Sequence, residues 1–189
     1  VLHASAIEIN QKGILFCGFS KSGKSSTISY LLKYGSMISE DICLLEFKDN
    51  KAFVTRSFPG IKIDNNYLDS QESNNLRIIG NRDRFFQKIE HDKFCKNEIT
   101  EIKKIIILDW HKNESIDILK GADIFISILP HLFKIPYDEK NKKIFNNKKI
   151  EQKQLEVFNH LSGIKILKYL RPKNNEILFL ENLKNYILQ

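Results

Sequence analysis

Gly18-Phe19-Ser20-Lys21-Ser22-Gly23-Lys24-Ser25 is the stretch of this chain best equipped for chemistry. Gly, four free positions, Gly, Lys and then Ser is the spacing that lets a loop wrap phosphate oxygens. Gly18 and Gly23 turn tightly and carry no Cβ, so main-chain N–H groups can come close to an anion. A helix opening near Lys24 adds unpaired N–H groups and the positive end of its dipole. Lys24 supplies a mobile cation for the β- and γ-phosphates, and Ser25 a hydroxyl for Mg²⁺. Ser26 completes the nucleotide-binding set. The expected ligand is a nucleoside triphosphate with Mg²⁺.

Gly- and Ser-rich turns also precede helices that bind nothing, so the flanks matter. Ile14-Leu15-Phe16-Cys17 ahead of the loop is a short apolar run of buried-strand type. Behind it, Ile28, Leu31 and Leu32 fall at i, i+3 and i+4, a helical stripe that stops at Gly35. Strand, glycine loop and helix start are the context the motif requires. Phosphoryl chemistry also needs an acid that holds Mg²⁺ or takes a proton. Asp109, closing the run Ile105-Ile106-Ile107-Leu108, is one candidate; the pair Glu40-Asp41, at the mouth of the next strand, is the other. The residues by themselves slightly favour Asp109.

From Leu2-His3-Ala4-Ser5-Ala6-Ile7-Glu8-Ile9 through Gly13-Ile14-Leu15-Phe16, the loop and Ser39-Glu40-Asp41, the chain resembles the catalytic domain of HPr kinase/phosphorylase. It is more closely similar to a shorter branch of HPr-kinase-like proteins, a group that shares a P-loop core with ATP-dependent phosphoenolpyruvate carboxykinase. The likeness is specific over residues 2–63 and general in pattern beyond them. It implies Asp41 as the base that takes the proton from the acceptor hydroxyl, His3 as its partner and Glu40 as a Mg²⁺-side ligand. It also implies an acceptor Ser on a small protein or ribosomally made peptide, and assembly into a homo-oligomer. Arg82 or Arg84 could supply a cation to the transferring group, and either also suits a solvated turn. The chain departs from the family pattern at three points. Ser26 stands where an acid commonly follows the Lys-Ser pair, the acid pair is Glu-Asp rather than Asp-Asp, and the later signature of acid, β-branched residue, Arg and Gly is absent. The absence of that later signature, which the family ties to its bifunctional enzymes, speaks against HPr as acceptor and against a phosphorylase activity.

The 189 residues suffice for one domain with a substantial core, expected to span 1–189. Apolar content of 42% and charged content of 28% exclude a disordered class. The net charge of +7 and pI near 9.2 raise nucleic acid as a partner. The lysines are scattered among Asn and Ile, however, and no aromatic ladder or nucleic-acid module accompanies them, so a nucleic-acid-linked ATPase ranks last. Cys17, Cys43 and Cys95 are odd in number and lack metal-ligand spacing; two lie in apolar runs, and a reducing cytoplasm is expected. No apolar run reaches the length of a membrane span and no signal peptide leads the chain, so no membrane partner is expected.

The elements that must position these groups read in order as follows. Ala4 to Ile9 and the Ile14 run form a hairpin through Asn10–Gly13, feeding the loop. Ile42–Phe47 and Ala52–Val54 form a second hairpin, and Phe58–Ile63 a turn and short strand. A short helix and loop are expected over Asp64–Asn81, with Arg82–Glu101 irregular. Lys104–Trp110 is the strongest buried-strand signal. Helices follow over Ala122–Leu132, broken near Pro130, and Ile150–Leu161; a strand at Ile164–Leu170 and a helix over Asn175–Leu188 close the chain. Hairpins alternating with helices make the fold class α/β with a mixed sheet and flanking helices; the resemblance implies a P-loop kinase core of the HPr kinase/phosphoenolpyruvate carboxykinase type. Its expected activity is ATP- and Mg²⁺-dependent serine phosphorylation; the alternative is a catalytically inactive nucleotide-binding regulatory module.

Overall fold

Asn10 and Gln11 both take positive φ (51° and 61°), as a two-residue primed turn demands. They join β1 (Ala4–Ile9) to β2 (Lys12–Cys17) in an antiparallel pair running from Ala4↔Cys17 to Ile9↔Lys12. The computed structural model describes residues 1–64, 76–78, 84–132, 148–161, 163–173 and 176–188. After the glycine loop comes α1 (Lys24–Leu31), then β3 (Ser36–Ser39), β4 (Leu45–Lys48), β5 (Lys51–Thr55) and β6 (Gly60–Asp64). Next are β7 (Leu76–Ile78), β8 (Arg84–Lys88), β9 (Ile99–Trp110) and β10 (Ser115–Ile118). The chain closes with α2 (Ala122–Ile128), α3 (Lys148–Leu161), β11 (Lys165–Arg171) and α4 (Glu176–Leu188).

The main sheet runs β10-β11-β9-β2-β1-β3, with the β4–β5 hairpin joined to the start of β9. β9 is parallel to both β2 and β11, whereas β1 and β10 are antiparallel to their neighbours, so the sheet is mixed. Ile105, Ile106, Ile107 and Leu108 of β9 are all buried, which requires cover on both faces. Alternation along the strand supplies it. Ile105 and Ile107 pack with Leu15, Ile128, Leu161 and Ile166 on the side of α2 and α3. Ile106 and Leu108 pack with Phe16, Ile28, Leu31, Leu183 and Ile187 on the side of α1 and α4. A smaller antiparallel sheet, β6-β8-β7, abuts the second layer, because Ile61 of β6 is buried in the same cluster as Ile28 and Leu31.

Several expectations need correction. The first turn after α1 is followed at once by a strand, β3, so Glu40 and Asp41 sit at the end of a strand rather than at the mouth of the next. Ladder pairing begins again only at Leu45; of Ile42–Leu44, Cys43 alone makes a bridge, with Leu2. Residues 82–101 are not irregular throughout, since β8 pairs with β6 and β9 already starts at Ile99. Their charged composition hid two strands, β8 paired with β6 and β7, and the start of β9 paired with β5. Part of the stretch expected as helix and loop, Leu76–Ile78, is strand; the rest of 65–75 and 79–81 lies outside the described residues. β10 was not anticipated at all. It is a short edge strand, and half its residues are exposed. Pro130 breaks the helix as expected, α2 ending at Ile128 before a single 3-10 turn, Leu129–His131.

Candidate functional site

β2 ends at Cys17 beside Ile107 of β9, so the loop leaves from the centre of the sheet. A Cβ on Gly18 would lie 2.2 Å from Ser22 Oγ and 2.7 Å from the Leu108 carbonyl, so no larger residue fits. Gly23 takes φ 89° at the entry to α1, and no side chain caps the helix there. The first N–H groups of α1 thus have no capping oxygen from the Gly23 position, the arrangement in which a helix start can take an anion. Thr27 Oγ1 donates to the Gly23 carbonyl at 2.8 Å, and Ser22 N to that of Phe19 at 3.0 Å, which closes the loop on itself. Lys24 is buried and its Nζ donates to the carbonyls of Gly18 (2.8 Å) and Phe19 (3.2 Å). Phe19, Ser20 and Lys21 are exposed on the crest, with Lys21 at φ 65° and Phe19 against His131 at 5.3 Å between ring centres. Ser26 is half-buried in the first turn of α1.

The acid pair reaches this loop through one residue of α1. Ser25 Oγ donates to Glu40 Oε1 at 2.5 Å, and the other oxygen, Oε2, accepts the main-chain N–H of Lys62 at 2.7 Å. Burial pushes the Glu40 carboxyl up to about 7, against the pull of those two hydrogen bonds. Asp41 turns the chain at φ 68°, a left-handed conformation that Asp tolerates better than most residues. Its Oδ1 lies 3.2 Å from His3 Nε2, and its Oδ2 accepts from Lys62 Nζ. Burial works to raise the Asp41 carboxyl, but Lys62 and His3 outweigh it and hold it below the usual value. An ionised carboxylate therefore stands next to a carboxyl that titrates at about 7. His3 reaches Asp41 because Leu2 and Cys43 form a two-hydrogen-bond bridge, which sets His3 across from Ile42.

Asp109 is placed differently. Alternation on β9 sets it on the side of Ile105 and Ile107, away from Leu108 and the α1 layer. Its carboxylate accepts the Trp110 N–H at 2.8 Å and lies 3.9 Å from Lys168 Nζ. The structure thus brings Lys24, Ser25, Glu40, Asp41 and His3 together and leaves Asp109 on the other face. Arg82 lies outside the described residues, and Arg84 begins β8.

Three residues of the site were not singled out from sequence. Lys62 touches both acids; its only signal was a lysine between isoleucines in a short strand. Trp110 Nε1 donates to the Lys21 carbonyl at 3.0 Å, and the buried Arg171 donates from Nη2 to that of Ser22 at 3.3 Å. The Arg171 guanidinium also lies 4.8 Å above the Trp110 ring. These two residues end the neighbouring strands β9 and β11 and hold the loop from behind. Only the pairing of those strands shows it.

The donor set fits Mg²⁺. A hydroxyl and a carboxylate oxygen meet at 2.5 Å, both are hard oxygen ligands, and the carboxylate is half-buried. Among the described residues no group of three or more His, Cys, Asp or Glu side chains could hold a metal alone.

No protein-family model matches this chain, and no curated protein does. A solved structure does. The HPr(Ser) kinase/phosphatase from Coxiella burnetii is similar over 98% of this chain and 95% of that one, at 17% identity and a TM-score of 0.45. No helix among the described residues is long and apolar enough to cross a membrane.

Proposed function

We propose that this protein is an ATP- and Mg²⁺-dependent kinase that transfers the γ-phosphoryl group to a serine hydroxyl of a small protein or peptide. The observation that carries the reading is the continuous chain Ser25–Glu40–Lys62–Asp41–His3, which links the phosphate loop to a second, ionised acid. A loop that only bound nucleotide would need Lys24 and Ser25 but not an outward-facing carboxylate held on both oxygens.

In this reading the uncapped start of α1 and Lys24 bind the phosphates, Lys24 exchanging its loop carbonyls for phosphate oxygens. Ser25 and Glu40 would hold Mg²⁺, which when bound offsets charge on the phosphates. Asp41 accepts the proton of the acceptor hydroxyl as its oxygen attacks phosphorus. The new O–P bond forms as the bond from the γ-phosphorus to the bridging oxygen breaks, and the electron pair leaves with ADP. Trp110 and Arg171 keep the loop from opening away from the strands.

A protein acceptor is favoured over a small polar one by the surface beside Asp41. Cys43 faces inward, so Ile42 and Leu44 on either side of it face out, 58% and 50% exposed. Phe58 is also exposed, and Ser57 next to it donates to the Ile38 carbonyl and to Ser39 Oγ, close to the acid pair. Apolar side chains around a base suit the flanks of a serine in a polypeptide.

Incubation with γ-labelled ATP, Mg²⁺ and a pool of serine-containing peptides tests the reading. The expected result is labelled phosphoserine that vanishes with Asp41→Asn. Tight nucleotide binding with no labelled product and no hydrolysis would leave the regulatory module as the better description.

A further inference from the structure

We infer that the Lys62 side chain is a positioning residue for phosphoryl transfer, holding the Asp41 carboxylate in the orientation from which it takes the acceptor's proton. The inference rests on the kinase reading above and concerns a residue outside the loop and the acid pair.

Four carboxylate oxygens belong to Glu40 and Asp41, and each meets a different donor. Glu40 takes Ser25 Oγ on one oxygen and Lys62 N on the other; Asp41 takes His3 Nε2 on one and Lys62 Nζ on the other. Lys62 is thus in contact with both acids, by main chain with the first and by side chain with the second. Its main chain is not free to drift. β6 is paired to β8 with Lys62 opposite Phe86, and Ile61 beside it is fully buried with Ile28 and Leu31 of α1. The helix that carries Lys24 and Ser25 therefore sets the position of Lys62. Asp41 has no such anchor of its own, being 42% exposed at a bend with positive φ. A carboxylate there rotates about two side-chain bonds unless both oxygens are held. His3 fixes one oxygen and Lys62 the other, and each oxygen keeps a second lone pair for an acceptor hydroxyl.

The two contacts of Lys62 can be separated by experiment. Replacing its side chain removes the hold on Asp41 but leaves the main-chain N–H on Glu40, so nucleotide binding and turnover should part company. MgATP turnover is measured with water as acceptor and, in parallel, with a pool of serine peptides, for the wild type, Lys62→Met and Lys62→Arg. Nucleotide affinity and melting temperature are measured on the same samples. The expected result for Lys62→Met is nucleotide affinity and nucleotide KM within about twofold of wild type and a kcat lower by about 10- to 100-fold, the cost of a misaligned base. Lys62→Arg, which can still reach the carboxylate, should recover a large part of that kcat.

An active wild type with Lys62→Met within threefold of it in kcat overturns the inference and leaves the kinase reading standing. So does a kcat that falls only in step with nucleotide affinity or with the folded fraction, because Lys62 would then be structural. A wild type that neither transfers nor hydrolyses overturns the kinase reading itself, and this inference with it.

Discussion

Trp110 Nε1 and the carbonyl of Lys21 lie 3.0 Å apart, so the last residue of β9 is tied to the crest of the phosphate loop. Replacing Trp110 with Phe keeps a ring beneath Arg171 and removes that one donor. A hydrogen bond of this kind contributes about 1 kcal/mol, so nucleotide should bind roughly fivefold more weakly with little change in melting temperature. Titration with a fluorescent ATP analogue measures it. Unchanged affinity would show that the loop does not need this tie.

Lys24 and Asp41 should fail in different ways. Lys24→Ala removes the buried cation of the loop and should abolish nucleotide binding and turnover together. Asp41→Asn keeps the shape and tolerates positive φ, so binding should survive while turnover falls by about 10²–10⁴-fold. Asp109→Asn should leave both near wild type, since its carboxylate faces Trp110 and Lys168. Loss of turnover in Asp109→Asn with retention in Asp41→Asn would reassign the base.

Ile42 and Leu44 should matter to the acceptor and not to ATP. Ile42→Ser combined with Leu44→Ser removes exposed apolar surface beside Asp41 while Cys43 keeps its bridge to Leu2. The expected outcome is a KM for a serine peptide raised by about tenfold, with basal MgATP hydrolysis unchanged. A peptide KM that does not move would place the acceptor elsewhere.

Glu40 gives the free protein a pH signature. Its carboxyl is raised from an ordinary 4.5 to about 7 by burial, so the folded state binds this proton more tightly than the unfolded state does. The contribution of Glu40 to stability is therefore full below pH 4.5, declines as pH rises between 4.5 and about 7, and is level above. Asp41 has the opposite sign, its stabilisation being lost only below its ordinary 3.8 as it protonates. Urea midpoints from pH 5 to 8 without Mg²⁺ should fall more steeply for the wild type than for Glu40→Gln. Equal slopes would contradict a carboxyl raised by burial.

Much of this was legible in the residues. Gly18, Gly23, Lys24 and Ser25 dictate a phosphate-sized loop because their roles depend on local backbone freedom and on groups within one turn of helix. The β1–β2 hairpin, β9 and the closing strand and helix were legible for the same reason, as each rests on a short-range apolar period. What lies across the site was not. Between Asp109 and the Glu40-Asp41 pair the residues by themselves slightly favour Asp109, and a resemblance turns the expectation to the pair. In the structure the choice follows from which face of the sheet α1 covers. Trp110 and Arg171 enter the site through the pairing of β9 with β11, far apart in sequence, and Lys62 through the packing of Ile61 against α1; β10 exists only because of its pairing with the distant β11. Local residue types determined the loop; the ordering of strands, set by burial on two faces at once, decided what the loop meets.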